Sequence, residues 1–407
     1  MKRLLAVCLL ILPHIEAHSG PFDGKNFKGR IAWSCDGNHN DEDDWAASPV
    51  ALAIFAAFKV QHKLVHFDYN NILTNTDTAW EKEHKTSIRG AIERYGYEAG
   101  VFYDCRRNLD AAISSIVRAI NESSADNPLY FVLAGPMEVP YLAIQKSDPA
   151  KRRFVYCISH SRWNDGFSTQ YIFRYNKRAV IPTGIRWIQI RDQNEFLSTS
   201  PFGRPAHPEE WVPWFWLRDA AEENLRFLWE RMRATKRADC SDAGMAYFLM
   251  TGDEAAEIDK LRRLLEQQRV PPPADPRAYV RLEAENFLTL DNFGLDEENR
   301  QASHRLNVRL TAPSGRIATP FDQPYTALSA RYDAEVRYLA GKGCRFALLI
   351  DGLRQGEPWE APAGDAAWQS HAIPHIDVKA GQEIAVEIRC SVGASAQLDY
   401  VQLNLNP

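Results

Sequence analysis

The chain has 407 residues, of which 45% are hydrophobic and 25% charged, and a formal net charge of -5. This length exceeds what one hydrophobic core usually supports, so we expect two domains. The slightly negative charge gives no basis for a nucleic acid or an acidic membrane surface as partner, and we expect neither.

The first 17 residues, MKRLLAVCLLILPHIEA, have the pattern of a secretion signal. Lys2 and Arg3 precede an apolar stretch from Leu4 to Pro13, and the small Ala17 ends the segment. The apolar stretch is too short to span a bilayer, so it predicts export rather than anchoring. We therefore expect a secreted or periplasmic protein.

Residues 18–269 alternate between apolar runs and helical patterns. The runs RIAWSC, KLVHFDY, LYFVLAG, RFVYCIS and IRWIQI predict buried strands, and segments such as Ser48–Phe58 and Leu109–Ile120 predict helices between them. This alternation predicts an α/β fold with a mostly parallel sheet wrapped by helices. Ligands of such sheets bind beyond the carboxyl ends of the strands. That rule places these polar or small residues on one rim: Asp36, Asp68, Asn70, Gly135, Ser159 and His160.

The proline-rich segment at 270–277 predicts a linker. Three consecutive prolines cannot continue the preceding helical pattern, and they favour an extended chain. In residues 278–407, the short alternating segments YVRLEAENF, LSARYDAEVRYL, RFALLIDG, EIAVEIRC and QLDYVQL predict an antiparallel β-sandwich domain. Cys344 and Cys390 lie in two of these segments and can form a disulfide.

Residues 31–47 read IAWSCDGNHNDEDDWAA, so an apolar run is followed by the acidic residues Asp36, Asp41, Glu42, Asp43 and Asp44. One interpretation is a solvated loop whose carboxylates favour the N-terminus of the next helix. The other is a site for Ca²⁺ or another divalent cation, which prefers carboxylate, carbonyl and water oxygens. The spacing does not match an EF-hand, so a cation site would need oxygens from elsewhere in the chain.

The segment CDGNHNDEDDW resembles the Asp-rich turn DxDPGxDD of the nucleoside hydrolases, which holds calcium and activates a water. KLVHFDYNN, LYFVLAGPMEVPYLAI and DCSDAGMAYFL resemble three further motifs of that family, in the same order, so the resemblance covers most of the first domain. It implies that Asp36 is both a metal ligand and the general base. The other metal ligands that it implies are Asp43, Asp44, the carbonyl of Ala134, and Asp242. For Asp242, the alternative is a capping residue of the following helix.

The same resemblance assigns contacts with sugar hydroxyls to Asn70 or Asn71. The chain departs from the family at Ser241, which replaces the histidine close to the leaving group. We consider His160 and Glu138 as substitutes for this catalytic acid.

Four other side chains are candidates for substrate binding. Trp163 and Asn164 follow His160 directly, and Trp214 and Trp216 lie in the aromatic segment WVPWFWLRD. Tryptophans in such a segment either form core or line a saccharide subsite.

The C-terminal part resembles β-sandwich carbohydrate-binding modules of families 6 and 35, from YVRLEAENF at its start to QLDYVQL at its end. In that family the two glutamates of the EAEN motif and a late aspartate hold a structural calcium. The resemblance therefore implies Glu283, Glu285 and Asp399 as ligands of a second metal ion. Modules of this kind also occur as purely structural partners.

Together these features predict a secreted, calcium-dependent glycoside hydrolase that acts on a polysaccharide or its oligosaccharides. Attack by an activated water in one displacement predicts inversion at the anomeric carbon. The alternatives are a nucleoside hydrolase or other N-glycosidase, a polysaccharide lyase, and a non-catalytic carbohydrate-binding protein.

Overall fold

The computed structural model describes residues 21–23, 26–39, 41–74, 76–166, 174–201, 203–267, 279–296, 299, 301–303, 306–362 and 367–406. The predicted secretion signal at 1–17 and the predicted linker at 270–277 lie outside these ranges and stay predictions. Within the described ranges, no helix combines the length and apolarity needed to cross a bilayer.

The first part of the chain contains a six-stranded sheet whose neighbouring strands are all parallel. The strands are β1 (Arg30–Cys35), β2 (Leu64–Tyr69), β3 (Phe102–Asp104), β4 (Leu129–Ala134), β5 (Val155–Ser159) and β6 (Arg186–Gln189). The five predicted strands are all present, whereas the short β3 was not predicted. The spatial order is β3-β2-β1-β4-β5-β6, so the order reverses between β1 and β4.

Helices cover both faces of this sheet, as predicted. They are α1 (Asp44–Ala57), α2 (Thr78–Tyr95), α3 (Cys105–Asn121), α4 (Glu138–Lys146), α5 (Pro149–Arg152), α6 (Arg162–Asp165), α7 (Lys177–Val180), α8 (Asn194–Leu197), α9 (Phe215–Arg218), α10 (Glu223–Ala234), α11 (Ala243–Thr251) and α12 (Ile258–Gln267). Successive side chains of a strand point to opposite faces, and Trp33 and Ala32 accordingly belong to different hydrophobic clusters. Helix α1 begins at Asp44, earlier than the predicted start at Ser48, so Asp44 belongs to its first turn and Asp43 is its N-cap residue.

The second part of the chain consists of two antiparallel sheets, which confirms the predicted β-sandwich. One sheet has the order β15-β12-β17-β10-β9 with β7 also paired to β17, and the other has the order β14-β13-β16-β11-β8. The strands are β7 (Tyr279–Glu283), β8 (Thr289–Asp291), β9 (Phe293–Asp296), β10 (Asn307–Leu310), β11 (Ser314–Pro320), β12 (Ala330–Ala340), β13 (Cys344–Ile350), β14 (Leu353–Glu360), β15 (Trp368–Val378), β16 (Glu383–Cys390) and β17 (Ala396–Leu405). A disulfide joins β13 to β16 through Cys344 and Cys390.

The sandwich contacts the α/β part directly. The guanidinium of Arg186, at the start of β6, forms two hydrogen bonds with the carboxylate of Asp322. The Tyr325 hydroxyl donates a hydrogen bond to the Leu249 carbonyl over 2.7 Å, and its ring packs edge-on against Phe248. The two parts are therefore connected by specific side-chain contacts.

Candidate functional site

Asp36 lies at the point where the strand order of the parallel sheet reverses. It follows β1, next to the end of β4, and only 2% of its surface is exposed. In open parallel sheets this reversal creates a crevice that commonly holds ligands. Gly135, directly after β4, leaves room for the carboxylate, because an added Cβ would lie 2.7 Å from Asp36 Oδ1. Ala134 pairs with Cys35 at this same edge, as the prediction of a shared site requires.

The structure brings the predicted carboxylates together behind this crevice. Asp44 is completely buried, and neither of its carboxylate oxygens accepts a hydrogen bond within the described part of the chain. The same is true of Oδ1 of Asp36 and Oδ1 of Asp43. Buried acceptors normally have partners. The acidic segment is therefore not the solvated loop of the first interpretation.

Electrostatics show how closely these groups interact. Burial raises the pKa of Asp36 well above its usual range, and the charge of Asp242 raises it further. Burial likewise raises the pKa of Asp44, helped by the charge of Asp36, and the pKa of Asp43, helped by the charge of Asp41. Without a counter-charge, such carboxyls take up protons. The raised pKa values mean that these carboxyls hold protons more tightly than exposed ones do.

One protein cation contacts the edge of the cluster. Arg237 Nη1 lies 3.6 Å from Asp43 Oδ1, and its Nη2 lies 3.1 Å from Asp239 Oδ2. Asp239 is itself fully buried and accepts a hydrogen bond from the Ser241 amide. This pair was not predicted from the sequence, although Asp239 stands in the same DCSD motif as Asp242.

His160 is held between two carboxylates. Its Nε2 lies 2.6 Å from Asp242 Oδ1, and its Nδ1 accepts a hydrogen bond from the Gln193 amide over 3.2 Å and lies 3.4 Å from Asp192 Oδ1. Burial lowers the pKa of His160, but the nearby carboxylates of Asp192 and Asp242 outweigh burial and raise it. Asp242 precedes α11, yet its side chain makes no capping hydrogen bond to that helix. Its partner is His160, which argues against the capping alternative.

A pocket of about 600 Å³ opens in front of the carboxylate cluster. This volume lies within the range of small-molecule sites. Its lining includes Asp41, Asp43, His160, Trp163, Asn164 and Asp242. Trp163 is 38% exposed, which leaves part of its ring open to a ligand. The pocket therefore unites predicted metal ligands with predicted substrate-binding residues.

Several predicted site residues do not line the pocket: Asp36, Asp44 and Ala134 lie behind it, and Asn70, Asn71 and Glu138 are also absent from its wall. Asn70 and Asn71 are buried beside Asp36; the amide nitrogen of Asn70 donates to Asp104 over 3.3 Å, and that of Asn71 donates to the Pro136 carbonyl over 3.2 Å. Glu138 begins α4, with a carboxylate oxygen 3.9 Å from Arg174, and is not among the residues that line the pocket. Its position gives no support to the predicted role as catalytic acid.

The aromatic segment belongs to the hydrophobic core. Trp214 is completely buried and donates its indole N–H to Thr199 Oγ1 over 3.0 Å, and Trp216 is 8% exposed. Both pack in the main cluster of the α/β part. The prediction that these tryptophans bind substrate is therefore wrong, since a buried ring cannot stack on a sugar.

In the sandwich, the predicted metal ligands have protein partners. Ser303 Oγ lies 2.6 Å from Glu283 Oε2 and 2.7 Å from Asp399 Oδ1, and Arg337 also pairs with Asp399. Glu285 is fully buried, with Oε1 3.5 Å from Lys177 Nζ of the α/β part. Positive side chains thus face two of the three carboxylates implied to hold a structural calcium.

The donor set of the first cluster fits a hard cation. Its carboxylates supply oxygens only, as Ca²⁺ prefers, and several of those oxygens are buried without hydrogen bonds. Across the described residues, however, no three acidic, histidine or cysteine side chains already converge in metal-binding geometry. A bound cation would have to draw the carboxylates inward and complete its shell with carbonyl or water oxygens.

No protein-family model matches the chain. Over 243 residues the chain is 28% identical to "Uncharacterized protein P22" of Formosa agariphila, a match that covers 55% of this chain and 84% of that protein. Similar solved structures include a GH26-CBM35 β-(1,4)-mannanase of Podospora anserina, with 21% identity, TM-score 0.26 and coverage of 32% of this chain and 28% of that one. A CBM36 domain of a xylanase from the hindgut metagenome of Trinervitermes trinervoides is 15% identical, with a TM-score of 0.25. The match covers 32% of this chain and 98% of that domain. These neighbours are carbohydrate-active enzymes and binding modules, but at such TM-scores they do not decide the function of this chain.

Proposed function

We propose that this protein is a secreted, calcium-dependent glycoside hydrolase that acts on a polysaccharide or its oligosaccharides. The observation that carries the proposal is the group of buried carboxylates with raised pKa values, located at the strand-order reversal and opening onto a pocket with an exposed tryptophan. A solvated loop or a purely structural helix start requires none of these features.

Four of the acidic residues are buried and are suited to holding a cation: Asp36, Asp43, Asp44 and Asp242. Of these, Asp36 and Asp44 lie behind the pocket. When bound, Ca²⁺ would lower the pKa of a coordinated water and orient sugar hydroxyls. Asp36 is the residue that we assign to accept the proton from that water.

The half-buried Asp41 lines the pocket, where a substrate meets it directly. We assign it as the general acid, in place of Glu138. His160 has a different role in this proposal, because its Nε2 is paired with Asp242 and its Nδ1 accepts the Gln193 amide. It fixes the orientation of Asp242 rather than delivering a proton to the leaving group.

Trp163 and the size of the pocket favour a carbohydrate as substrate. An exposed aromatic ring provides a flat apolar surface against which the C–H groups of a sugar can pack. The resemblance of the C-terminal part to carbohydrate-binding modules favours a polymeric substrate in the same way. Attack by a water held on one side of the ring predicts inversion of configuration.

The test is release of reducing ends from a panel of plant and algal polysaccharides, with nucleosides in parallel, in calcium and in chelator. We expect calcium-dependent release from a polysaccharide, abolished by Asp36→Asn. Glu42→Gln is the matched control: it removes a charge from the same acidic segment, but Glu42 is only partly buried, whereas Asp36 is 2% exposed. Release of free base from nucleosides alone, or full activity of Asp36→Asn, would overturn the proposal.

A further inference from the structure

We propose that the β-sandwich helps to position the wall of the active site. Glu285 of the sandwich pairs with Lys177, and Lys177 is a positioning residue for the turn that carries His160. The sandwich would then act on the pocket through this contact, and not only by binding polymer. The assignment of a catalytic purpose to that turn rests on the proposed function, whereas the mechanical coupling does not.

The contact itself is a buried ion pair between the two parts of the chain. Lys177, the first residue of α7, is 3% exposed, and Glu285 is fully buried. Lys177 Nζ lies 3.5 Å from Glu285 Oε1. Lysine and glutamate are almost never buried without a charged or polar partner. The position of each side chain is consequently tied to the other.

Two chains of contacts connect Lys177 to Ser159 at the end of β5. Its ammonium donates to Gln189 Oε1 over 3.0 Å, and Gln189 lies 3.4 Å from Ser159 Oγ. Its ammonium also lies 5.3 Å from the ring centre of Trp187, whose indole N–H donates to Ser159 Oγ over 3.1 Å. Both routes end at the same hydroxyl.

Ser159 is the residue before His160, and it holds the next turn as well. Its Oγ lies 3.1 Å from Oδ2 of Asp165, the last residue of the short helix α6. Burial raises the pKa of Asp165, and the charge of Lys177 opposes this shift. Helix α6 carries Trp163 and Asn164 into the pocket. Glu285 and Lys177 therefore support the wall on which a substrate would rest.

Another ion pair between the two parts provides a matched control. Arg186 and Asp322 also join the α/β part to the sandwich, and the Arg186 side chain is 8% exposed. Arg186 lies at the amino end of β6, whereas Gln189 and the pocket lie at its carboxyl end. Loss of the Asp322 carboxylate should weaken the contact between the parts without moving the pocket wall.

The experiment measures hydrogen exchange of the peptide spanning residues 155–166 in the full-length protein. We expect Glu285→Gln to raise the exchange rate in this peptide about tenfold through local opening, whereas Asp322→Asn lowers the melting temperature and leaves the peptide unchanged. If activity on a polysaccharide is found, we expect Glu285→Gln to lower kcat about tenfold or more through misplacement of the wall. The exchange measurement needs no substrate, so its result is independent of the proposed function.

A double variant separates positioning from simple stabilisation. Lys177→Met with Glu285→Gln removes both buried charges, a change that often preserves stability. We expect this variant to recover the melting temperature lost in Glu285→Gln but to keep fast exchange at residues 155–166. Recovery of both properties would reduce the pair to a structural role. Unchanged exchange in folded Glu285→Gln would overturn the coupling altogether.

Discussion

Replacing Asp44 with asparagine tests whether the carboxylate cluster strains the metal-free fold. Asp44 is completely buried at the start of α1, and neither carboxylate oxygen has a hydrogen bond within the described chain. Burial and the charge of Asp36 raise its pKa well above the usual range. An amide of the same shape removes this charge. We therefore expect Asp44→Asn to stabilise the metal-free protein at pH 8 by about 1–2 kcal/mol, since raising a pKa by one corresponds to about 1.4 kcal/mol.

With calcium bound, the wild type should become more stable than Asp44→Asn. A ligand at one hundred times its Kd adds about 2.7 kcal/mol to the native state, which for a domain of this size raises Tm by about 5–10 °C. The wild type should show this rise, whereas Asp44→Asn, with one ligand lost, should show little of it. Scanning calorimetry in chelator and in calcium measures both effects.

The control for this prediction is Glu42→Gln, which removes a neighbouring charge of the same segment and should retain the full response to calcium. A lower Tm of Asp44→Asn in chelator, together with an unchanged calcium response, would refute the reasoning. Asp44 would then be an ordinary structural carboxylate.

Further predictions concern pH, substrate binding and the disulfide. The folded-state pKa values of Asp36, Asp43 and Asp44 are raised. The native protein therefore retains protons that the unfolded chain releases above about pH 4. The contribution of these groups to metal-free stability is complete below that pH and is lost as pH rises through the raised values. Urea unfolding in chelator should give a larger free energy at pH 5 than at pH 8, and a rising profile would contradict the cluster. Trp163→Ala should raise KM about fivefold with little change in kcat, since the ring contributes about 1 kcal/mol of contact to the bound sugar; an unchanged KM would remove Trp163 from the subsite. Cys344→Ser should lower the unfolding free energy of the sandwich by about 2–4 kcal/mol, measured by urea unfolding against the same variant of buried, unpaired Cys157.

The sequence was sufficient to predict the two architectures because their hydrophobic periods differ. Continuous apolar runs such as that at β4 indicate burial on both faces, and alternating runs such as that at β12 indicate one buried face. Strand order cannot be read from these local patterns. That Asp36 lies at the reversal between β1 and β4 follows from pairing across the sheet, which only the structure shows.

The wrong predictions about individual site residues also arose because contacts between residues distant in sequence cannot be read from local patterns. Trp214 and Trp216 stand beside a proline in an apparent loop, yet short helices fold that segment into the core. The metal motif predicted for Glu285 was local, whereas its partner, Lys177, is distant in sequence and lies in the other part of the chain. Residues 31–47 were predictable as a site because the density of carboxylates is itself a local signal.

The central claim is that a divalent cation binds among Asp36, Asp43, Asp44 and Asp242. The most direct measurement is anomalous diffraction from crystals of the wild type grown in calcium, compared with crystals of Asp36→Asn. A bound calcium ion should give one strong peak about 2.3–2.6 Å from the oxygens of Asp36 and Asp44, absent or much weaker in the variant. A well-ordered cluster with no peak in saturating calcium, its carboxylates bonded only to each other and to Arg237, would contradict the account.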